Sequence, residues 1–330
     1  MRHVCSYFSQ CGVGAAVVPP PSQGKGYFMH LNTATAEPGE CASLESRPGT
    51  QCLQFFPHNT GAADDVLSTW VKEYDMANPS GKLKLFKGIS GGGGLGSWEL
   101  HNVNLNMTQK ARVVFEGVRG TSPSKAGFSV GEMNLSVTKC PQHIWHIRNI
   151  TGLLATTPAG GKLYSPCFLS PIGYSFQAVY LNGQSDCPGY MATYFHLTSG
   201  PSDHKLKWPC PWQQVTTVLM DQQSDIRQQM NMHCMVTTDP DNKSSDSKWD
   251  DPTKVVSKVT MSDGSCYYRC PNFGTSSFIT HSRLKSRNFI KGNDAFFLFS
   301  LEVVFCPSSD TSYLLVLQRL PCSAVDVDPD

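Results

Sequence analysis

The sequence has almost no net charge and no long apolar run. Its 330 residues include 27 basic and 26 acidic side chains, for a formal net charge of +1. No basic stripe stands out, so we expect neither a nucleic acid nor an anionic membrane surface as a partner. The late apolar run at 313–317 is far shorter than the roughly 20 residues of a membrane-spanning helix. Residues 1–8 lack the apolar stretch of a signal peptide.

The motifs of common catalytic and metal sites are also missing. No His-Glu-x-x-His occurs, so the paired imidazoles and the general-base glutamate of a zinc protease are absent. Residues 90–97 are glycine-rich but lack the lysine of a phosphate-binding loop. Cys266 and Cys270 have no second pair at zinc-ribbon spacing, and His143 and His146 should point to opposite faces of a strand. We therefore expect no catalytic residues, no metal and no cofactor in this chain.

Cysteine, in contrast, is abundant. The 13 cysteines extend from Cys5 to Cys322 and indicate an oxidising compartment, and their odd number leaves at least one outside an intrachain disulfide. About two glycosylation sequons are expected by chance at this composition, so four give mild support. They lie at Asn106, Asn134, Asn149 and Asn242. We predict an extracellular protein, secreted or the ectodomain of a membrane-anchored parent, and interpret the missing targeting segment as the sign of a longer parent chain.

The apolar residues mostly alternate with polar ones in short segments. Residues 52–56, 174–180 and 295–304 follow this period of two, which is typical of half-buried strands. Only residues 225–232 have helical spacing. Many short strands with little helix predict an all-β fold made of two antiparallel β-sandwich domains.

The boundary between the two domains is predicted at Cys140. One strand-rich block ends there, and a new strand is predicted at 144–150, so almost no linker remains. The predicted organisation is a loosely ordered segment at 1–23, a first domain at 24–140, a second domain at 141–306 and a tail at 307–330.

Several segments resemble the two non-catalytic domains of the meprins. Those similar to the MAM domain are Gly26-Tyr-Phe-Met-His-Leu, Gln51-Cys-Leu-Gln-Phe and Arg112-Val-Val-Phe-Glu-Gly. Those similar to the MATH, or TRAF-like, domain are Tyr194-Phe-His-Leu, Trp208-Pro-Cys-Pro-Trp-Gln-Gln and the run at 274–294. The joint Cys140-Pro-x-x-Ile-Trp-His-Ile-Arg-Asn is characteristic of this order, and the likeness covers about residues 24–305.

Meprins are zinc endopeptidases whose catalytic domain precedes these two modules. The resemblance implies that zinc belongs only to that catalytic domain, which is absent here, and that this chain supports folding, oligomerisation and presentation. It implies a jelly-roll-like MAM sandwich that is N-terminally incomplete, and a disulfide between Cys52 and Cys140. The interchain cysteine expected before Gly26 is replaced by Ser22, so a covalent dimer is not implied.

The first function predicted is a non-catalytic extracellular interaction and oligomerisation module, with a second copy, a related subunit or another protein as partner. One alternative is a fragment of a meprin-like zinc metalloendopeptidase. A further alternative is a MATH domain that binds peptides. Trp145, Trp208 and Trp212 either line a peptide groove or fill the core, and core filling is the simpler use.

Overall fold

The computed structural model describes residues 10–13, 27–31, 41–45 and 49–304, apart from 91–97, 110, 124–126, 184–186, 224, 240–246, 256 and 261–265. The chain divides into two compact units. The first comprises Met1–Cys140 with Gln223–Gln229, and the second comprises Pro141–Gln222 with Met230–Asp330. The division after Cys140 coincides with the boundary expected from the sequence.

The first unit is built from nine described strands. They are β1 (Gln10–Val13), β2 (Tyr27–Leu31), β3 (Cys41–Glu45), β4 (Cys52–Asn59), β5 (Val66–Glu73), β6 (Lys82–Ser90), β7 (His101–Asn104), β8 (Ala111–Val118) and β9 (Phe128–Ser136). One sheet has the order β1-β2-β9-β4-β7 and the other the order β3-β8-β5-β6, with antiparallel pairing throughout.

Both sheets of the first unit contribute side chains to one core. Leu53 and Phe55 come from β4 of the first sheet, and Val113 and Phe115 come from β8 of the second. The rings of Phe55 and Phe115 meet edge to face at 5.0 Å. Because alternate residues of each strand point inward, the two inner faces pack together as a β-sandwich.

The segment at 1–23, expected to be loosely ordered, contains a strand. β1 pairs antiparallel with β2, with Gln10 opposite His30 and Val13 opposite Tyr27. The prediction is therefore wrong at Gln10–Val13. A four-residue segment with a central glycine is too short to show alternation of apolar and polar residues. Its structure is decided by the open edge of β2, whose backbone groups form hydrogen bonds with β1.

The second unit contains ten strands and two short helices in its described part. They are β10 (His143–Ile147), α1 (Ile150–Thr156), β11 (Gly161–Leu169), β12 (Ser175–Asn182), β13 (Tyr190–Thr198), β14 (Gln213–Leu219), β15 (Met232–Thr237), β16 (Lys258–Thr260), β17 (Cys266–Tyr268), β18 (Phe273–Thr280), α2 (His281–Ser286) and β19 (Ala295–Val303). The sheets have the orders β10-β19-β14-β15 and β11-β12-β13-β18, and β16 pairs with β17. No helix in the described part of the chain is long and apolar enough to cross a membrane.

The core of the second unit is aromatic. Phe297 and Phe299 point inward from β19, and Phe176 and Tyr180 point inward from β12 of the facing sheet. Trp145 of β10 stacks on Tyr180 with ring centroids 5.2 Å apart. Two sheets again share one core, so the predicted all-β fold of two antiparallel sandwiches is confirmed.

Two local predictions are wrong. The helical spacing of 225–232 corresponds only to a 3₁₀ turn at Ile226–Gln228, and β15 begins four residues later at Met232. The strand predicted at 144–150 ends at Ile147, because Asn149 has a left-handed backbone (φ 51°) and begins α1. The Asn149 N–H donates to Asp294 Oδ1 at 3.1 Å. Asparagine tolerates this conformation better than most residues, so the chain turns there rather than extends.

Candidate peptide-binding edge and the predicted sites

β18 forms one edge of its sheet. It pairs with β13 on one side, and no described strand pairs with its other side. Gly274 makes the close approach to β13 feasible, because an added Cβ would lie 2.1 Å from the Thr193 carbonyl oxygen. The exposed backbone of such an edge can pair with an extended peptide.

A β-bulge changes the direction of the side chains in the middle of β18. Thr275 lies opposite Thr193 and Ile279 opposite Met191, so residues 276–278 face the single residue between them on β13. Thr275 Oγ1 accepts a hydrogen bond from the Ser277 N–H at 3.3 Å. The edge therefore presents hydroxyl groups along a locally distorted strand.

An aromatic group marks the start of this edge. Phe273 is 39% exposed and meets the buried Trp249 ring at 5.5 Å in a T-shaped contact. Lys248 Nζ lies 5.1 Å from the centre of the Phe273 ring. This combination can bind an apolar side chain of a peptide and attract a neighbouring carboxylate.

The three tryptophans of the sequence prediction are not gathered into one groove. Trp145 lies in the core and is 9% exposed. Trp208 is half-buried, donates from Nε1 to the Asp203 carbonyl at 3.1 Å, and lines a cleft of about 280 Å³ with Asp250 and other residues of that loop. Trp212 is half-buried just before β14. Sequence reasoning missed Phe273 and Trp249 as candidates, and no local pattern distinguishes them from core aromatics.

A buried polar cluster lies on the other face of the same sheet. His196 Nδ1 is 2.7 Å from the Cys270 carbonyl oxygen, and the Tyr267 hydroxyl donates to Gln177 Oε1 at 3.0 Å. Burial lowers the pKa of His196 to about 4, and nearby Arg269 acts in the same direction. The imidazole is therefore neutral at physiological pH and serves as a fixed hydrogen-bond donor.

Cys52 and Cys140 are joined by a disulfide, the pair that the family resemblance implied. The bond closes a loop of 88 residues between β4 and the end of the first unit, with Cα atoms 4.9 Å apart. Among the other described cysteines, Cys167 is exposed whereas Cys210 and Cys270 are buried. Burial raises the pKa of both buried thiols to about 12, so they are protonated and unreactive.

The sequons differ in accessibility. Asn106 is exposed between β7 and β8 with a left-handed backbone, and Asn149 is exposed at the start of α1. Asn134 is half-buried within β9, opposite Gln54 of β4. Asn242 lies outside the described residues. A glycan therefore fits Asn106 and Asn149 best.

The histidines at the start of the second unit lie on opposite faces of β10. His143 stacks on Phe168 at 4.8 Å, whereas His146 Nε2 lies 2.8 Å from Asp294 Oδ2. Among the described residues, no group of three His, Cys, Asp or Glu side chains is arranged to hold a metal ion. The side chain of Cys266 and the glycine-rich segment 91–97 lie outside the described part.

Comparison with known proteins agrees with this architecture. The MAM domain model (meprin/A5/mu) matches residues 15–141, and a MATH domain model matches residues 142–301. Human meprin A subunit beta is 45% identical over 287 residues, which cover 85% of this chain and 40% of the relative. Mouse meprin A subunit alpha is 37% identical over 307 residues, covering 88% and 39%. A solved structure of TRAF5 from Notothenia coriiceps aligns with a TM-score of 0.38 at 19% identity, covering 50% of this chain and 75% of that one.

The two matches give this chain the domain order of one class of proteins, a MAM domain followed by a MATH domain. Within that class it is similar to the meprin A subunits over most of its length, and it spans about 40% of theirs. The MAM match begins at residue 15, ahead of the predicted start at residue 24 and after β1 at Gln10–Val13.

Proposed function

We propose that this chain is a non-catalytic extracellular interaction module that self-associates or holds a protein partner. Two sandwich domains of the MAM and MATH types, the first linked by a long-range disulfide, support this proposal. The observation that carries it is the edge position of β18, which among the described strands pairs only with β13. An extended segment that pairs there gains hydrogen bonds without requiring catalytic chemistry.

Self-association is tested on the full chain by size-exclusion chromatography with light scattering. We expect a dimer or larger oligomer, with a second copy or a related subunit as partner. The measurement is repeated with reductant to distinguish noncovalent assembly from interchain disulfides. A monomer at all concentrations, together with failure to bind any meprin-type subunit, would contradict oligomerisation.

Peptide binding by the MATH domain is the second form of the proposal. A peptide array probed with the full chain should select extended peptides that carry a carboxylate beside an apolar residue. Phe273→Ala should weaken binding about tenfold, because an exposed aromatic residue at the edge acts as an anchor. Leu169→Ala, which removes an apolar side chain 46% exposed on β11, the far strand of the same sheet, is the matched control. Equal losses for the two variants would refute the role of β18.

The enzyme alternative concerns the parent protein. Similarity to meprin A subunits, of which this chain spans about 40%, favours a fragment of a zinc metalloendopeptidase. Sequencing the full transcript decides this, because an upstream coding sequence that contains a His-Glu-x-x-His motif would identify a catalytic domain. Cleavage of a protein substrate by the purified 330-residue chain, in contrast, would overturn the non-catalytic role.

A further inference from the structure

β6 is a second open edge, located in the MAM domain. It spans Lys82–Ser90, pairs with β5 on one side, and has no described strand on the other. At nine residues it is long for an edge strand. Leu83 and Leu85 are 53% and 50% exposed.

Leu85 continues an apolar row across the outer face of the sheet, whereas Leu83 lies opposite Lys72, which in turn lies opposite Arg112. Leu85 lies opposite Trp70 of β5, which lies opposite Val114 of β8. Directly opposed residues share a face, and the neighbouring Val71 and Val113 point into the core, so this row points outward. Trp70 is held in place by its Nε1, which donates to Glu116 Oε2 at 2.8 Å. The row is therefore preorganised and leads to the open edge.

Lysines alternate with the leucines along β6. Lys82 and Lys84 are exposed, and Lys87 is half-buried next to the bulge at Phe86. Among the described residues, none of these ammonium groups forms an ion pair with a carboxylate. Lys84 Nζ instead lies 5.0 Å from the centre of the Phe86 ring. Glu73 of β5 lies opposite Lys82, and the charge of Lys82 helps to lower the pKa of Asp75, so acidic neighbours offset part of the charge at that end of β6. The edge thus combines an apolar face with positive charge that is least offset at Lys84.

The positive charge of the β6 lysines favours some binding partners of this edge over others. Two β6 strands paired in a register that sets lysine opposite lysine would be destabilised by the like charges. A strand with alternating acidic and apolar residues matches both features of the edge. We propose that β6 binds an extended acidic–apolar segment of a partner protein as an added antiparallel or parallel strand.

In such a complex, backbone hydrogen bonds extend the sheet beyond β6. The apolar side chains of the partner cover Leu83 and Leu85, and its carboxylates lie near Lys82 and Lys84. Backbone pairing supplies affinity and the alternating side chains supply specificity. Because charged contacts at an exposed edge are screened by salt, binding weakens as ionic strength rises.

The test uses the full chain and a fluorescently labelled peptide of alternating Glu and Val with blocked termini, followed by anisotropy. Two comparison peptides have Lys in place of Glu, or N-methyl groups on alternate backbone nitrogens. The variants are Lys82→Glu with Lys84→Glu, and Leu85→Thr, which keeps a residue suited to strands. Lys139→Glu reverses another exposed lysine of the same domain and is the matched control. Melting temperatures verify that each variant remains folded.

We expect the Glu–Val peptide to bind, and the Lys–Val and N-methylated peptides to bind at least tenfold more weakly. The double charge reversal should weaken binding by tenfold or more, Leu85→Thr by several-fold, and Lys139→Glu by less than twofold. Absence of binding at millimolar peptide, or equal binding by the N-methylated peptide or the charge-reversed chain, would overturn the proposal. A wild-type dimer that the Leu85→Thr substitution dissociates would also overturn the proposal, because a second copy of the chain would then occupy β6. None of these results depends on β18, so the proposal for the MATH domain is judged separately.

Discussion

Removing the disulfide of the MAM domain should strongly destabilise that domain alone. The perturbation is the double substitution Cys52→Ala with Cys140→Ala, which introduces no polar group into these buried positions. The bond closes a loop of 88 residues. In the chain-entropy model, a loop of this length stabilises the folded state by about 4.6 kcal/mol relative to the open chain.

This free energy can be expressed as a change in melting temperature. The MAM match at 15–141 comprises 127 residues, and the unfolding entropy of a domain this size is roughly 0.27 kcal/mol per degree. The expected decrease is therefore about 17 °C. Since domains are typically stable by only 5–15 kcal/mol, the loss removes a large part of the total.

Differential scanning calorimetry of the full chain can measure this effect. The MATH domain has its own core and its described cysteines form no disulfide, so its transition is an internal reference. Wild-type protein treated with reductant should behave like the variant. A decrease of only a few degrees, or an equal shift of both transitions, would refute the idea that this bond stabilises one domain by restricting its unfolded chain.

Three further predictions concern pH, glycosylation and the MATH core. His196 has a pKa of about 4 in the folded state, below the 6.5 of the unfolded chain, so the unfolded state takes up the proton first as pH falls. The free energy of unfolding of the MATH domain should therefore decrease by on the order of 3 kcal/mol between pH 6.5 and pH 4, and should not change for this reason above pH 6.5. Chemical denaturation across this range should show the loss reduced in His196→Asn, and an identical pH profile would contradict the assignment. In a glycosylating host, Asn106 and Asn149 should be occupied and Asn134 largely empty by glycopeptide mass spectrometry, and full occupancy of Asn134 would show that β9 is more open than described. Trp145→Ala should destabilise the MATH domain by about 3–5 kcal/mol in urea titration, whereas a loss below 1 kcal/mol would exclude its place in the core.

The predicted strands were correct wherever alternation was regular. In β19 the inward positions Phe297 and Phe299 follow directly from a period of two, and both lie in the core. The helix predicted at 225–232 shows the limit of this reasoning, because Ile226 and Met230 at helical spacing belong to a 3₁₀ turn and an exposed loop. A short spacing match is easily overridden when the following residues pair with a distant strand, as Met232 does with Leu219.

The candidate sites were harder to predict than the fold. Trp145 and Trp208 were considered together as candidates for one groove, yet one is stacked in the core and the other lines a cleft. Asn149 also looked like part of a strand until its left-handed backbone was seen. In each case the side chain's environment depends on residues more than 25 positions away.

From the sequence alone, period-two alternation determined the all-β class, the abrupt change at Cys140 determined the two-domain division, and resemblance identified the MAM–MATH order. Only the tertiary structure decided which strands lie at sheet edges and what those edges present. The reason is physical: alternation records which residues share a face of a strand, but an edge is defined by the absence of a neighbour. In the described part of the chain, β6 and β18 each have a neighbour on one side only, and this is known only once the pairing of all the strands in each sheet is seen.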